Sequence, residues 1–195
     1  MRPKLSLKGR ALALLAQREH SPAELRRKLL RHARSEAVDA AVAAVASAVS
    51  PFDAPDEAAL AEAAGSIDEA AIAARLDELI DWLRTHKYLS EERFIESRVH
   101  TRAARYGQMR IRQELAQHGL KLNDETSQAL RDSELERAVE VLRRKFPQPP
   151  ATPAERARQA RFLASRGFAS DVVARLIRRG AAREPQDTEA DADGS

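Results

Sequence analysis

The stretch SPAELRRKLLRH at residues 21–32 recurs as GQMRIRQELAQH at residues 107–118. Aligned without a gap, the two copies place similar residues opposite each other: Leu25 and Ile111, Arg26 and Arg112, Leu29 and Leu115, His32 and His118. A weaker third copy spans residues 157–167, where Leu163 takes the place of Leu115. An apolar stripe that recurs with basic residues on the other faces of the helix predicts a repeated helical module.

The composition favours helices along the whole chain. Aromatic residues make up only 4% of the 195 residues, and there are only 7 glycines. No run alternates apolar and polar residues as a half-buried strand would. We therefore expect an all-α fold, an elongated tandem array of three three-helix modules, because a bundle of about 45 to 50 residues buries too little surface to stand alone.

Breaks and caps divide the chain into three predicted modules, at residues 5–88, 89–131 and 132–180. The second helix is predicted from Pro22 to Arg31, with Ser21 as its N-cap and Glu24 placed for a capping box. Other predicted start and stop signals are Ser90, Asn123 and Ser133 for starts, and Gly119 for a stop. The last two helices are predicted at about residues 154–166 and 170–179.

Residues 33–70 fit the repeat poorly. Ser21 and Gly107 lie 86 residues apart, whereas Gly119 and Gly167 lie 48 apart, so the first interval holds 38 extra residues. Because the segment is acidic, Ala-rich and interrupted by Pro and Gly, we predict a mobile, partly helical insertion that the core does not need. Residues 181–195 are predicted to form a disordered acidic tail.

The charge is divided unevenly between these parts. Residues 33–74 carry a net charge of −7 and residues 181–195 carry −4, so removing both from the overall +3 leaves +14 on the rest of the chain. A strongly basic body favours nucleic acid or an acidic protein groove as the partner. Arg-rich solvated helix faces are the simpler explanation for any single arginine.

No pattern in the sequence predicts a catalytic, cofactor or metal site. The chain has no cysteine, its five histidines are scattered, and no two glycines stand close enough to form a phosphate loop. Acidic pairs such as Asp77-Glu78 are expected on helix surfaces. The absence of a long apolar run and of a secretory signal in the sequence predicts a cytoplasmic protein that is not inserted in a membrane.

Basic stripes are the better candidates for function. Arg98, Arg102 and Arg105 follow i, i+4, i+7 spacing and are predicted to share one helix face. The predicted contact residues, grouped by module, are Arg26, Arg27, Lys28 and Arg31; Arg98, Arg102, Arg105, Arg110 and Arg112; and Arg156, Arg158 and Arg161. Arginine binds phosphate or carboxylate oxygens in bidentate fashion. For Tyr88 and Tyr106, closing a small core is favoured over stacking on a base.

Five stretches of the sequence form a recognisable series: KGRAL at 8–12, REHSPAELRRKL at 18–29, SEERF at 90–94, RYGQMRIRQEL at 105–115 and RFLASRGF at 161–168. In this order they resemble the RecX family, regulators of the bacterial recombinase RecA. The resemblance covers about residues 5–32 and 72–179. The insertion after His32 is longer than the family pattern, and the acidic tail lies outside it.

The resemblance implies a non-enzymatic modulator, mainly an inhibitor, that lies in the helical groove of the RecA–DNA filament. Binding there would limit filament growth and inhibit ATP hydrolysis, strand exchange and co-protease activity. The expected partners are the RecA filament and single- or double-stranded DNA, bound by a monomer. Two alternatives stay open: a stand-alone DNA-binding protein of the helix-turn-helix kind, and a helical scaffold for an acidic protein.

Overall fold

The computed structural model describes residues 5–48, 56–65 and 68–181, which form ten helices and contain no strand. The helices are α1 (Leu7–Gln17), α2 (Pro22–Ala48), α3 (Glu57–Gly65), α4 (Glu69–Thr85), α5 (Glu91–Ala103), α6 (Gln108–Ala116), α7 (Asp124–Asp132), α8 (Glu134–Lys145), α9 (Pro153–Ser165) and α10 (Ser170–Ala181). The all-α prediction is confirmed. Within these ranges, no helix combines the length and apolar character that a membrane span requires. The predicted tail lies outside the described residues from position 182 onward.

Local capping explains where several helices begin. The Ser21 hydroxyl accepts a hydrogen bond from the Glu24 amide at 3.1 Å, and Asn123 Oδ1 accepts one from the Thr126 amide at 2.7 Å. These two predicted caps are confirmed. A capping box that was not predicted begins α9: the Thr152 hydroxyl accepts a hydrogen bond from the Glu155 amide, and the Glu155 carboxylate accepts one from the Thr152 amide.

The chain divides into two compact units, the first ending at Phe94 and the second beginning at Ile95. In the first unit, α2 packs against α1, α3 and α4. Its buried apolar side chains are Leu7, Ala11, Leu25, Leu29, Ala33, Ile72, Leu76, Ile80, Leu83 and Leu89. The predicted stripe is confirmed here, since Leu25 and Leu29 are fully buried.

In the second unit, α8, α9 and α10 surround a core of their own, and α6 and α7 pack beside each other. The core of the last three helices consists of Ala138, Val141, Leu163, Phe168, Val172, Val173 and Leu176. The repeat positions Ile111, Leu115 and Leu163 are fully buried, as predicted. Gly119 has a φ of +73°, which fits its predicted role in ending a helix.

Two backbone segments of the second unit touch at glycines. The Gly107 amide donates to the Arg166 carbonyl at 3.0 Å, and the Met109 amide donates to the Gly167 carbonyl at 3.1 Å. A Cβ on Gly107 would lie 2.2 Å from the Gly167 oxygen, and Gly167 itself has a φ of +77°. Only glycine fits either position, so this contact ties the start of α6 to the turn between α9 and α10.

The prediction that the second helix ends near Arg31 is wrong, because α2 continues to Ala48. Ala-rich sequence favours helix, and Ala33 lies in the core of the first unit. The Arg34 guanidinium also pairs with Glu69 of α4 at 2.8 and 3.0 Å. His32 therefore lies inside a helix and not at a helix end. The mobility of the insertion stays a prediction, and its residues 49–55 and 66–67 lie outside the described ranges.

Candidate partner-binding surfaces

The predicted contact residues of α2 fall into two groups. Arg26 forms a bidentate pair with Asp77 of α4, at 2.8 and 3.2 Å, and the Lys28 ammonium lies 3.6 Å from Glu24. Arg27 and Arg31 are exposed, one helical turn apart, and contact no carboxylate within the described part of the chain. The structure therefore leaves Arg27 and Arg31 available on this helix, whereas Arg26 and Lys28 already have acidic neighbours.

Glu24 is the centre of a charge network that was not predicted from the sequence. Its side chain is 7% exposed; it accepts hydrogen bonds from Arg18, and one carboxylate oxygen lies 3.3 Å from His20 Nδ1. Burial by itself raises the pKa of the Glu24 carboxyl, but the Arg18 hydrogen bond and the nearby positive charges lower it to about 2. Burial lowers the pKa of His20, against the opposing charge of Glu24. This network joins Arg18 and His20, which precede α2, to Glu24 in the first turn of that helix.

The predicted stripe on the fifth helix is interrupted. Arg98 and Arg102 lie on α5, but α5 ends at Ala103, so Arg105 lies in the following turn. The prediction that all three share one helix face is wrong for Arg105, because Gly107 and the turn before it stop the helix. Arg102 Nε lies 2.9 Å from the Glu114 carboxylate, and Arg110 Nε lies 3.7 Å from it. Glu114 thus offsets two of the predicted contact residues.

The Ser127 hydroxyl of α7 accepts hydrogen bonds from three side chains. Ser127 Oγ accepts from Gln108 Nε2 at 3.0 Å, from Arg131 Nη1 at 2.9 Å and from Arg112. Arg131 otherwise donates to the Gln128 side-chain oxygen, at 2.6 and 3.2 Å. The Arg112 and Arg131 guanidinium groups therefore share a neutral acceptor, Ser127 Oγ. An anion bound beside them would form charge-assisted hydrogen bonds with both groups. Arg112 was among the predicted contact residues and Arg131 was not, since only the packing of α6 against α7 brings the two side chains together.

The predicted contact residues of α9 lie in different surroundings. The Arg158 guanidinium lies 5.6 Å from the centre of the Phe146 ring, and Arg156 is half-buried. Arg161 is exposed and borders a groove of about 800 Å³ between α9 and α10. Arg158 is exposed too and lines a smaller pocket of about 210 Å³ beside Phe146, so Arg161 differs from it in bordering the larger, apolar groove.

Some arginines of the basic body are structural. Arg137 donates to the carbonyls of Ala103, Tyr106 and Leu130 at 3.1, 2.8 and 2.9 Å, so it closes the carboxyl ends of α5 and α7. Burial lowers the pKa of Arg137, although the Glu134 charge opposes that effect. Part of the +14 charge is therefore committed inside the second unit and is not available at the surface.

The two tyrosines have different environments. Tyr88 is 48% exposed and stacks on Trp82, with 5.7 Å between ring centres, so the prediction that Tyr88 closes a core is wrong. The next residue, Leu89, enters the core instead. Tyr106 is half-buried, and the Arg102 and Arg166 guanidinium groups lie 5.5 and 5.8 Å from its ring centre.

Acidic and histidine side chains do not form a metal cage in the part of the chain that the structure describes, since no three of them come together as potential ligands. The described surface carries exposed guanidinium groups, whose chemistry suits anionic groups, and a groove on α9 and α10 whose lining suits apolar groups.

Comparisons with known proteins find relatives of one family along almost the whole chain. Residues 90–121 match the second three-helix domain of RecX, and residues 132–177 match the third. The chain is 46% identical to the Regulatory protein RecX of Leptothrix cholodnii over 91% of this chain and 90% of the relative. It is 42% identical to the Regulatory protein RecX of Ralstonia nicotianae, over 90% of this chain and 89% of the relative. It is 31% identical to the Regulatory protein RecX of Neisseria meningitidis, over 89% of this chain and 90% of the relative. This chain belongs to the RecX family.

Proposed function

We propose that this protein is a non-enzymatic modulator, mainly an inhibitor, of RecA. It binds the groove of the RecA–DNA filament and limits filament growth, ATP hydrolysis, strand exchange and co-protease action. The observation that carries the proposal is the set of exposed guanidinium groups without an ion pair in the described residues, on a chain whose relatives are named regulatory proteins. Among these groups are Arg27, Arg31, Arg112, Arg131 and Arg161.

The chemistry of these groups fits a filament made of protein and DNA. Guanidinium binds both the phosphates of DNA and the carboxylates of a protein surface, and it keeps its charge at any cellular pH. Because the groups are spread over α2, α6, α7 and α9, the contact surface is distributed along the chain. Residues 5–88, 89–131 and 132–180 act as three modules of one cytoplasmic monomer.

The direct test is the DNA-dependent ATPase activity of RecA on single-stranded DNA, with increasing amounts of the purified full chain. The rate should fall at substoichiometric to stoichiometric ratios, and electron microscopy should show shorter filaments. An unchanged ATPase rate and unchanged filament length at every ratio would refute the proposal.

A second candidate is a stand-alone DNA-binding protein, which the meeting of Arg112 and Arg131 over Ser127 favours. This function predicts DNA binding without RecA, with an affinity that falls steeply as salt rises. Replacing Arg112 and Arg131 by Gln should then reduce the slope of log affinity against log salt by about 2. Affinity that arises only when the filament is present would count against this candidate.

A further inference from the structure

The second unit carries an apolar groove that its own core does not fill. The groove has a volume of about 800 Å³ and lies between α9 and α10. Its apolar lining residues are Ala160, Ala164, Phe168, Val173, Ala174 and Ile177. Three of these are alanines, so the backbones of α9 and α10 are accessible to an approaching helix. Shallow apolar grooves between helices are a common docking site for amphipathic helices.

Met109 extends this apolar surface from the start of α6. Its side chain is 63% exposed, and it borders the groove. Methionine is flexible and polarisable, so it adapts to the shape of a bound apolar side chain. An exposed methionine beside an alanine-lined groove indicates a surface that becomes buried when a partner binds.

The edges of the groove are basic. Arg161 of α9 and Arg178 of α10 line it. Both are exposed, and within the described ranges neither forms an ion pair with a carboxylate. Charge complementarity therefore selects an occupant with acidic residues beside its apolar face. Residues 182–195 are acidic but contain no Leu, Ile, Val, Phe or Met, so they could meet the arginines without filling the groove.

We propose that the groove between α9 and α10 binds an amphipathic helix of a partner protein, with an apolar face seated on the alanines and Met109, and Asp or Glu side chains paired with Arg161 and Arg178. This inference goes beyond the proposed function, because it specifies the chemistry of a protein segment and holds whether or not that segment belongs to RecA.

The test uses the full chain and a fluorescein-labelled peptide of about 18 residues, with Leu at helical i, i+3, i+4, i+7 spacing and Glu on the flanks. Anisotropy should show binding that weakens roughly tenfold or more in A164E and in the double variant R161E/R178E. The double variant changes only exposed side chains, so it remains informative if A164E does not fold. Circular dichroism checks the helical content of both.

Matched controls place the same charges outside the groove. S165E adds a glutamate next to Ala164, and R158E reverses an arginine that faces Phe146; both should bind the peptide within about twofold of the parent. A peptide with Lys in place of Glu, and a scrambled acidic peptide, should not bind.

Three outcomes would overturn the proposal. Equal binding of the scrambled or Lys-containing peptide would remove the specificity on which it rests. A chain truncated after Ala181 that binds the peptide roughly tenfold more tightly would identify the acidic tail as the occupant. A dimer in sedimentation that R161E/R178E abolishes would identify a second copy of this chain.

Discussion

Glu24 is a buried carboxylate that faces Arg18, His20 and Lys28, and its charge contributes to the stability of the first unit. Its pKa of about 2 lies below the ordinary value of 4.5. The stability that the ionised form contributes is therefore fully present above about pH 4.5 and is lost as the pH falls through about 2. The sequence alone indicated only a capping residue at this position.

We predict that E24Q lowers the free energy of unfolding more at about pH 5 than at about pH 3. The loss caused by the substitution should be about 2 kcal/mol smaller at the lower pH. Urea unfolding of the parent and the variant at both pH values measures this change. E78Q, which alters an exposed carboxylate of α4, is the control. A stability difference between parent and E24Q that is the same at both pH values would contradict the prediction.

The contact between Gly107 and Gly167 depends on the absence of a side chain. We predict that G107A destabilises the second unit by at least about 2 kcal/mol, because the added Cβ meets backbone atoms that cannot rotate away. In G119A the new Cβ meets no atom within 4 Å, so the cost is limited to the left-handed backbone, about 1 kcal/mol. Urea unfolding compares the two variants, and equal losses would show that the contact is not tight.

At the scale of elements, apolar spacing and caps located most helices closely. The observed bounds of α9 and α10 lie within two residues of their predicted bounds. The end of α2 was missed because the sequence after Arg31 lost the Leu stripe but remained rich in Ala. Helix propensity and packing against α4 continue the helix where the amphipathic pattern fades.

The core of the first unit predicts how much of the insertion is needed for folding. Its buried residues run to Ala33 and resume at Ile72, and the pairs Arg34–Glu69 and Glu36–Arg75 connect α2 to α4 beside it. Replacing residues 40–66 with a turn of about four Gly and Ser residues should preserve cooperative unfolding and cost less than about 2 kcal/mol.

L29A provides the comparison for that deletion, because it leaves the insertion intact and opens the core. Leu29 is fully buried, so L29A should cost about 2 to 5 kcal/mol. Thermal and urea unfolding followed by circular dichroism measure both variants. If the deletion costs more than L29A, the insertion is part of the folded core.

At the scale of the whole molecule, the arginines divide into those with acidic neighbours and those without. We predict that R27Q/R31Q raises the concentration needed for half-inhibition of the RecA ATPase at least roughly fivefold, since each lost contact is expected to weaken binding by about 0.5 to 1 kcal/mol. The control R26Q/R34Q removes the same charge from pairs with Asp77 and Glu69. Its half-inhibition should stay within about twofold of the parent, and equal effects of the two variants would show that only net charge matters.

The sequence by itself determined the helical class, the buried repeat positions and most helix starts, because these depend on side-chain spacing and caps within a few residues. The tertiary structure alone decided which arginines have partners on other helices. Asp77 reaches Arg26 from 51 residues away, and Glu114 reaches Arg102 across a turn. Helix packing likewise brings Arg112 and Arg131 to the same Ser127 hydroxyl and Gly107 into contact with Gly167. Helix periodicity is a local property, whereas the distance between charges on different helices is set by how those helices pack.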